Sequence, residues 1–254
     1  MLFDTHAHYD DEKFEEDRYE IIEKAYKSGV SYIINASTDI KSCEESLAFA
    51  RKYEYVYAAV GIHPHEVGGI DDSTLDRVAR LAKEDKVVAI GEIGLDYYYD
   101  FAPRDVQKYW FSQQINLARE LKLPIIVHNR DAHQDSMDII KQQKAAEVGG
   151  VFHCYSGSLE MAKELLNCNF YISVGGSLTF KNAKKLVEVV RWIPLDKLLI
   201  ETDCPYLTPE PHRGKRNDSS YVRFVAEKVA QIKEISFETV AEVTTDNAKK
   251  LFKI

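Results

Sequence analysis

The sequence predicts an α/β fold, a (β/α)8 barrel formed as a single domain over residues 1–254, on three observations. Short apolar runs alternate with amphipathic helical stretches eight times, with no linker, repeat or low-complexity break. Runs such as Ile33-Ile34 and Ile125-Ile126-Val127 are apolar at consecutive positions, which suits parallel strands buried on both faces. Six of the eight histidines fall where these runs end, the end at which a barrel of this kind builds its active site. A doubly wound open sheet is the structural rival.

The first run, Leu2-Phe3, leads into Asp4-Thr5-His6-Ala7-His8, where strand alternation puts His6, His8 and Asp4 on one face. A helix over 11–28 follows, apolar at Phe14, Ile21, Ile22 and Ala25 and closed by Gly29. Residues 32–36 read as a strand, 40–52 as a helix, and 55–60 as a strand ending in Gly61-Ile62-His63-Pro64-His65. The next helix spans 73–84 with Ser73 as its N-cap, and strand 87–90 runs into Gly91-Glu92-Ile93-Gly94-Leu95-Asp96. Helix 104–122 precedes strand 124–127, which ends at His128-Asn129-Arg130, and helix 132–146 precedes strand 150–152, which ends at His153-Cys154. Helix 159–166, strand 170–174, helix 182–191 and strand 198–200 complete the alternation, the last strand ending at Glu201-Thr202-Asp203. Helices over 218–232 and 236–252 finish the chain.

With 33 basic and 41 acidic residues the formal net charge is −8, which argues against nucleic-acid affinity built on a broad basic surface. It leaves room for a nuclease, because bound divalent cations reverse the local sign at a cluster of carboxylates. Cys43, Cys154, Cys168 and Cys204 form no Cys-x-x-Cys pair and read as reduced thiols. The start lacks the pattern of a secretion signal, and no apolar run approaches the roughly 20 residues of a membrane span. The expectation is a cytoplasmic protein, monomeric, without a membrane partner.

Histidine and carboxylate at the ends of strands one, four, five, six and eight are the ligand set of a divalent metal centre. Singly, His128 reads as a core histidine, Asp203 as a turn cap and Glu92 as a loop acid; together they require five unrelated explanations, or one. His6, His8, His128, His153, Glu92 and Asp203 exceed one tetrahedral shell, so two ions are expected, with Glu92 as the bridge. Asp203 is then expected both to ligate and to take the proton of an attacking water. Cys154 and Cys204 are not assigned as ligands, and Asp96, His65 and His212 receive no role.

Seven blocks in order carry a resemblance. They are Asp4-Thr5-His6-Ala7-His8, Gly61-Ile62-His63-Pro64-His65, Gly91-Glu92-Ile93-Gly94-Leu95-Asp96-Tyr97, His128-Asn129-Arg130, His153-Cys154-Tyr155-Ser156-Gly157, Glu201-Thr202-Asp203-Cys204-Pro205-Tyr206 and Arg213-Gly214-Lys215-Arg216-Asn217. On these the chain resembles the TatD family of metal-dependent hydrolases, within the amidohydrolase superfamily of barrels. The resemblance implies one ion held by His6, His8, Glu92 and Asp203, and another held by Glu92, His128 and His153. It places Glu92 where many superfamily members carry a carbamylated lysine. It further implies a nuclease dependent on Mg²⁺ or Mn²⁺ that often trims 3′ ends; the histidine ligands themselves add Zn²⁺ to the expected ions, and single-stranded DNA or RNA ends are the expected substrate. His63, Arg130, Arg213, Lys215 and Arg216 are the expected substrate contacts, with Asp203 and Glu92 as the catalytic carboxylates. Tyr97, Tyr98 and Tyr99 are read as packing rather than as a stacking face.

Two other functions fit the same residues. An esterase or amidase, including a deacylase of aminoacyl-tRNA, would keep the centre and change the scissile bond. A barrel that binds metal without turnover would not need both Glu92 and Asp203.

Overall fold

A computed structural model describes residues 1–254. Eight strands pair in sequence order, all parallel: β1 (Leu2–Ala7), β2 (Val30–Ala36), β3 (Val56–Val60), β4 (Val87–Asp96), β5 (Ile125–Arg130), β6 (Gly150–Phe152), β7 (Phe170–Val174) and β8 (Leu198–Ile200). Helices α1 (Arg18–Lys27), α2 (Ile40–Lys52), α3 (Asp72–Leu81), α4 (Arg104–Leu121), α5 (His133–Gln142), α6 (Leu159–Asn167) and α7 (Lys184–Trp192) alternate with them. The last two, α8 (Val222–Lys233) and α9 (Phe237–Phe252), follow β8.

The seam lies between β1 and the segment just after β8. Asp203 N donates to His6 O at 2.9 Å and His8 N donates to Cys204 O at 2.8 Å, a parallel bridge between Ala7 and Cys204. The buried carboxylate of Asp4 reinforces it, accepting from Thr202 N at 2.8 Å and Thr202 Oγ1 at 2.6 Å. An open sheet would leave β1 and β8 as unpaired edges; these bonds make a barrel instead.

Inside the barrel, alternation sorts side chains by height. Phe3, Ile34, Ala59, Ala89, Ile126, Val151, Tyr171 and Leu199 form one apolar cluster with Ala248, Leu251 and Phe252 of α9. Two residues further along, the same inward face carries His128 after Ile126, His153 after Val151 and Glu201 after Leu199. The N-terminal half is therefore a dry plug, and polar side chains begin where it stops. The complementary outward residues, among them Ile33, Ile125, Phe152, Ile172 and Ile200, join the larger core under the helices.

Several elements depart from their expected bounds. The stretch expected as one helix over 11–28 opens with a 3-10 turn at Glu12–Phe14, capped by Asp11, which accepts from Lys13 N at 2.8 Å. The N-cap of α3 is Asp71, not Ser73, because its carboxylate accepts from Thr74 N at 3.1 Å and completes a capping box. The largest difference is β4, which continues to Asp96 because β5 pairs with it through Gly94↔His128, Leu95↔Asn129 and Asp96↔Arg130. Gly94 permits this: its φ is +148°, and a Cβ there would lie 1.9 Å from His128 O.

Candidate metal centre

The expected ligands converge on the carboxylate of Glu92, which is buried at the mouth of the plug. Its two oxygens face different partners. Oε2 lies 3.2 Å from His6 Nε2 and 3.6 Å from His8 Nε2. Oε1 lies 2.7 Å from His128 Nδ1, 2.8 Å from His153 Nε2 and 3.5 Å from His63 Nε2. Asp203 belongs to the first group, with Oδ1 at 3.4 Å from His8 Nε2 and 3.9 Å from His6 Nε2. His6, His8 and Asp203 form one compact donor set, His63, Glu92 and His128 a second, and His6, His153 and Glu201 a third that shares His6 with the first.

Local backbone explains the convergence. The pairing of β1 with β2 slips between Asp4 and Ala7, so strict alternation fails there. Both His6 and His8 reach the centre, whereas Asp4, expected on their face, points to Thr202 at the seam. Asp203 has a φ of +56°, a left-handed conformation that aspartate tolerates better than most residues.

The donor set fits cations. His6 Nε2 and His8 Nε2 are 3.0 Å apart, close enough to share a proton or to turn together onto one cation. His6 Nδ1, His153 Nδ1 and Glu201 Oε2 are buried without a hydrogen-bond partner, so the protein alone does not satisfy the polar atoms of this pocket. Charge shifts point the same way. Burial raises the pKa of the Glu92 carboxyl, but the surrounding His153, His63 and His6 outweigh it and hold the group well below the usual range. Asp203 is also held low: burial opposes this, and the bond from His8 overcomes it. Burial disfavours charge on His8, yet Asp203 and Glu92 push its pKa up to about 9. For His63 burial wins, and its pKa falls to about 4.

An outer layer orients the rings. His8 Nδ1 meets Ala36 O at 2.9 Å, leaving Nε2 for the centre. Asp96 Oδ2 meets His128 Nε2 at 3.1 Å and His65 Nε2 at 2.9 Å, so one carboxylate positions two imidazoles. Glu201 Oε1 accepts from Cys154 N and stands 3.5 Å from His153 Nδ1. Asp96 and His65 received no role from the sequence. Glu92, Gly94 and Asp96 alternate on one face only once the strand is carried past Ile90, which pairing with β5 reveals.

Beside the centre opens a cavity of about 680 Å³, bordered by His128, Arg130, His153, Asp203, Lys184 and Lys185 among others. Of the expected substrate contacts, His63 stands in the ligand cluster itself and Arg130 lines the cavity. Arg213 lies over the ring of Phe180, a cavity residue, at 3.9 Å. Arg216 is engaged elsewhere, paired with Asp17 and bonded to Lys13 O at 2.6 Å, and Lys215 is exposed. Lys184 and Lys185, on the first turn of α7, are cavity cations that sequence reading did not select.

Comparison with known proteins adds a family. The model for TatD-related DNases matches residues 3–253. An uncharacterized metal-dependent hydrolase of Bacillus subtilis (strain 168), YabD, is 50% identical over 254 residues, 100% of each chain. The 3′-5′ ssDNA/RNA exonuclease TatD of Salmonella typhimurium is 31% identical, covering 100% of this chain and 99% of its own. The crystal structure of YjjV, a TatD homologue from Escherichia coli K12, superposes with a TM-score of 0.94 at 30% identity, covering 100% of this chain and 98% of that one.

Proposed function

The chain belongs to the TatD family of metal-dependent hydrolases, and from that premise we propose that it is a binuclear nuclease acting on single-stranded DNA or RNA ends in the 3′ to 5′ direction. The observation that carries this reading is the division of the Glu92 carboxylate, with Oε2 turned to His6 and His8 and Oε1 turned to His128 and His153. One carboxylate serving two donor groups is the arrangement that two-ion phosphoester hydrolases need.

The residues have distinct tasks. His6, His8, Glu92 and Asp203 would hold one divalent ion, and Glu92, His128 and His153 would hold the second. When bound, Mg²⁺, Mn²⁺ or Zn²⁺ supplies Lewis acidity, lowering the pKa of water and neutralising charge on the phosphate. Asp203 Oδ1 accepts the proton of the water as its oxygen bonds to phosphorus and the P–O bond to the leaving group breaks, the departing oxygen taking a proton from solvent. His63, drawn down toward the neutral state, is available to hydrogen-bond a phosphate oxygen without carrying charge. Arg130 supplies a fork of donors to the strand, with Arg213, Lys215 and Arg216 as outlying candidates.

The test is cleavage of 5′- and 3′-labelled single-stranded oligonucleotides across a metal panel, with Asp203→Asn as control and a carboxylic ester in parallel. Stepwise loss from the 3′ end, abolished in Asp203→Asn, is the expected result. Ester hydrolysis without oligonucleotide cleavage overturns the substrate assignment, and nuclease activity retained by Asp203→Asn assigns that activity to a contaminant.

A further inference from the structure

The loop after β4 carries three large apolar side chains in water beside the metal centre. Tyr98 is 60% exposed, Tyr99 48% and Phe101 68%, while Tyr97 is spent on packing, with its hydroxyl on Asp135 at 2.6 Å and Arg104 over its ring. Exposed aromatics clustered in one loop lose hydrophobic stabilisation unless something covers them. Tyr99 and Phe101 stack with centroids 5.4 Å apart, and Arg130 lies 4.1 Å over Tyr98 and 4.9 Å over Tyr99. Tyr98 and Tyr99, expected to pack, face solvent instead: the repeat of aromatic residues hid a division between one half-buried ring and two exposed ones.

This ledge is tied to the candidate metal centre by a single carboxylate. Asp96 Oδ1 accepts from Tyr98 N and Tyr99 N at 2.9 Å each, while Oδ2 meets His65 and His128. The His65 ring packs edge-on against Tyr99 and Phe101 at 5.3 and 4.8 Å. The guanidinium of Arg130 has no carboxylate within ion-pairing distance and borders the same cavity as exposed Lys184 and Lys185. Apolar π-faces on one side and unpaired cations on the other match a strand with flat bases and a charged backbone.

We infer that Tyr98, Tyr99 and Phe101 form a stacking platform for an unpaired nucleobase of the substrate strand, with Arg130 and the α7 lysines on its phosphates. The inference rests on the nuclease reading and extends it to the unpaired base as the recognised group. A base pair inside a duplex is stacked on both faces, so the ledge favours the unpaired bases of a single strand. Asp96 holds the platform in register with His128, which sets the base one short reach from the scissile linkage.

The test measures binding rather than turnover. The full chain, loaded with Mn²⁺, is titrated by fluorescence anisotropy with a hydrolysis-resistant phosphorothioate oligothymidylate and with the same strand made abasic. The wild type is expected to bind the base-bearing strand about ten-fold more tightly. Tyr98→Ala and Phe101→Ala should lose that preference and Tyr98→Phe keep it, each folded by circular dichroism. Oligouridylate repeats the comparison with the ribose sugar, and a preference with either sugar supports the base contact. Equal affinity of the wild type for both strands, an undiminished preference in the alanine variants, or equal binding of a blunt duplex overturns it. The two readings separate: base preference without cleavage in any metal sinks the nuclease and leaves the platform, and cleavage without base preference does the reverse.

Discussion

Glu92 concentrates the energetics of this molecule in two oxygen atoms. Buried and held ionised by the histidines around it, it needs positive partners on both sides. His6→Ala is expected to empty the ion beside Asp203 before the ion beside His128 and His153, a loss read by metal analysis after dialysis against limiting Mn²⁺. Simultaneous loss of both ions would argue against separate sites. Asp96→Asn replaces the acceptor behind His128 and His65, and should cost about 10- to 100-fold in metal affinity or in kcat/KM. Unchanged values in calorimetry and kinetics would remove Asp96 from the support of the centre. His8 sets a pH dependence. Its pKa in the metal-free protein, about 9, lies above the ordinary 6.5, so a proton competes with the ion until pH exceeds about 9. Affinity should fall on acidification by up to about ten-fold per unit for each proton displaced. The same raised pKa stabilises the metal-free fold fully below about 6.5, and that contribution is lost as pH rises through about 9. Thermal unfolding in chelator should move down over that window.

At the scale of elements, two strands decide the site. The closeness of β4 and β5 depends on Gly94, where a Cβ meets His128 O at 1.9 Å and the φ of +148° suits only glycine. Gly94→Ala should therefore cost about 3 kcal/mol or more in urea unfolding, through backbone strain and separation of the strands. Gly69→Ala, where an added methyl group would meet nothing within 4 Å, should stay within about 0.5 kcal/mol of the wild type. The two results together check the geometry, because similar costs would mean that crowding at Gly94 is not what matters. How much could be read from the chain differs between these elements. Ile126 to His128, Val151 to His153 and Leu199 to Glu201 follow a two-residue period that is visible without coordinates. The end of β4 was not visible, because Gly91, Glu92, Gly94 and Asp96 are poor strand formers and only pairing with β5 holds them extended. The role of Asp4 was hidden for a related reason: a register slip in β1 turns it to Thr202, a partner 198 residues away.

At the scale of the whole molecule, the barrel joins a dry end to a charged one. Phe3, Ile126, Leu199 and Phe252 plug the N-terminal end, while the opposite mouth brings together histidines and carboxylates from five strands or their ends. No helix is long and apolar enough to cross a membrane. The site spans the seam between β1 and the end of β8, so ions bound there favour the closed barrel over the unfolded chain. Free ion at 100 times its Kd adds about 2.7 kcal/mol, which for a chain of this length raises Tm by about 5–10 °C. A Tm indifferent to chelator would count against resident metal. The most direct test of the account is a manganese anomalous difference map from crystals of the loaded protein. Two peaks are expected astride the Glu92 carboxylate, one beside His6, His8 and Asp203 and the other beside His128 and His153. A single peak, or two peaks that do not share Glu92, would contradict it.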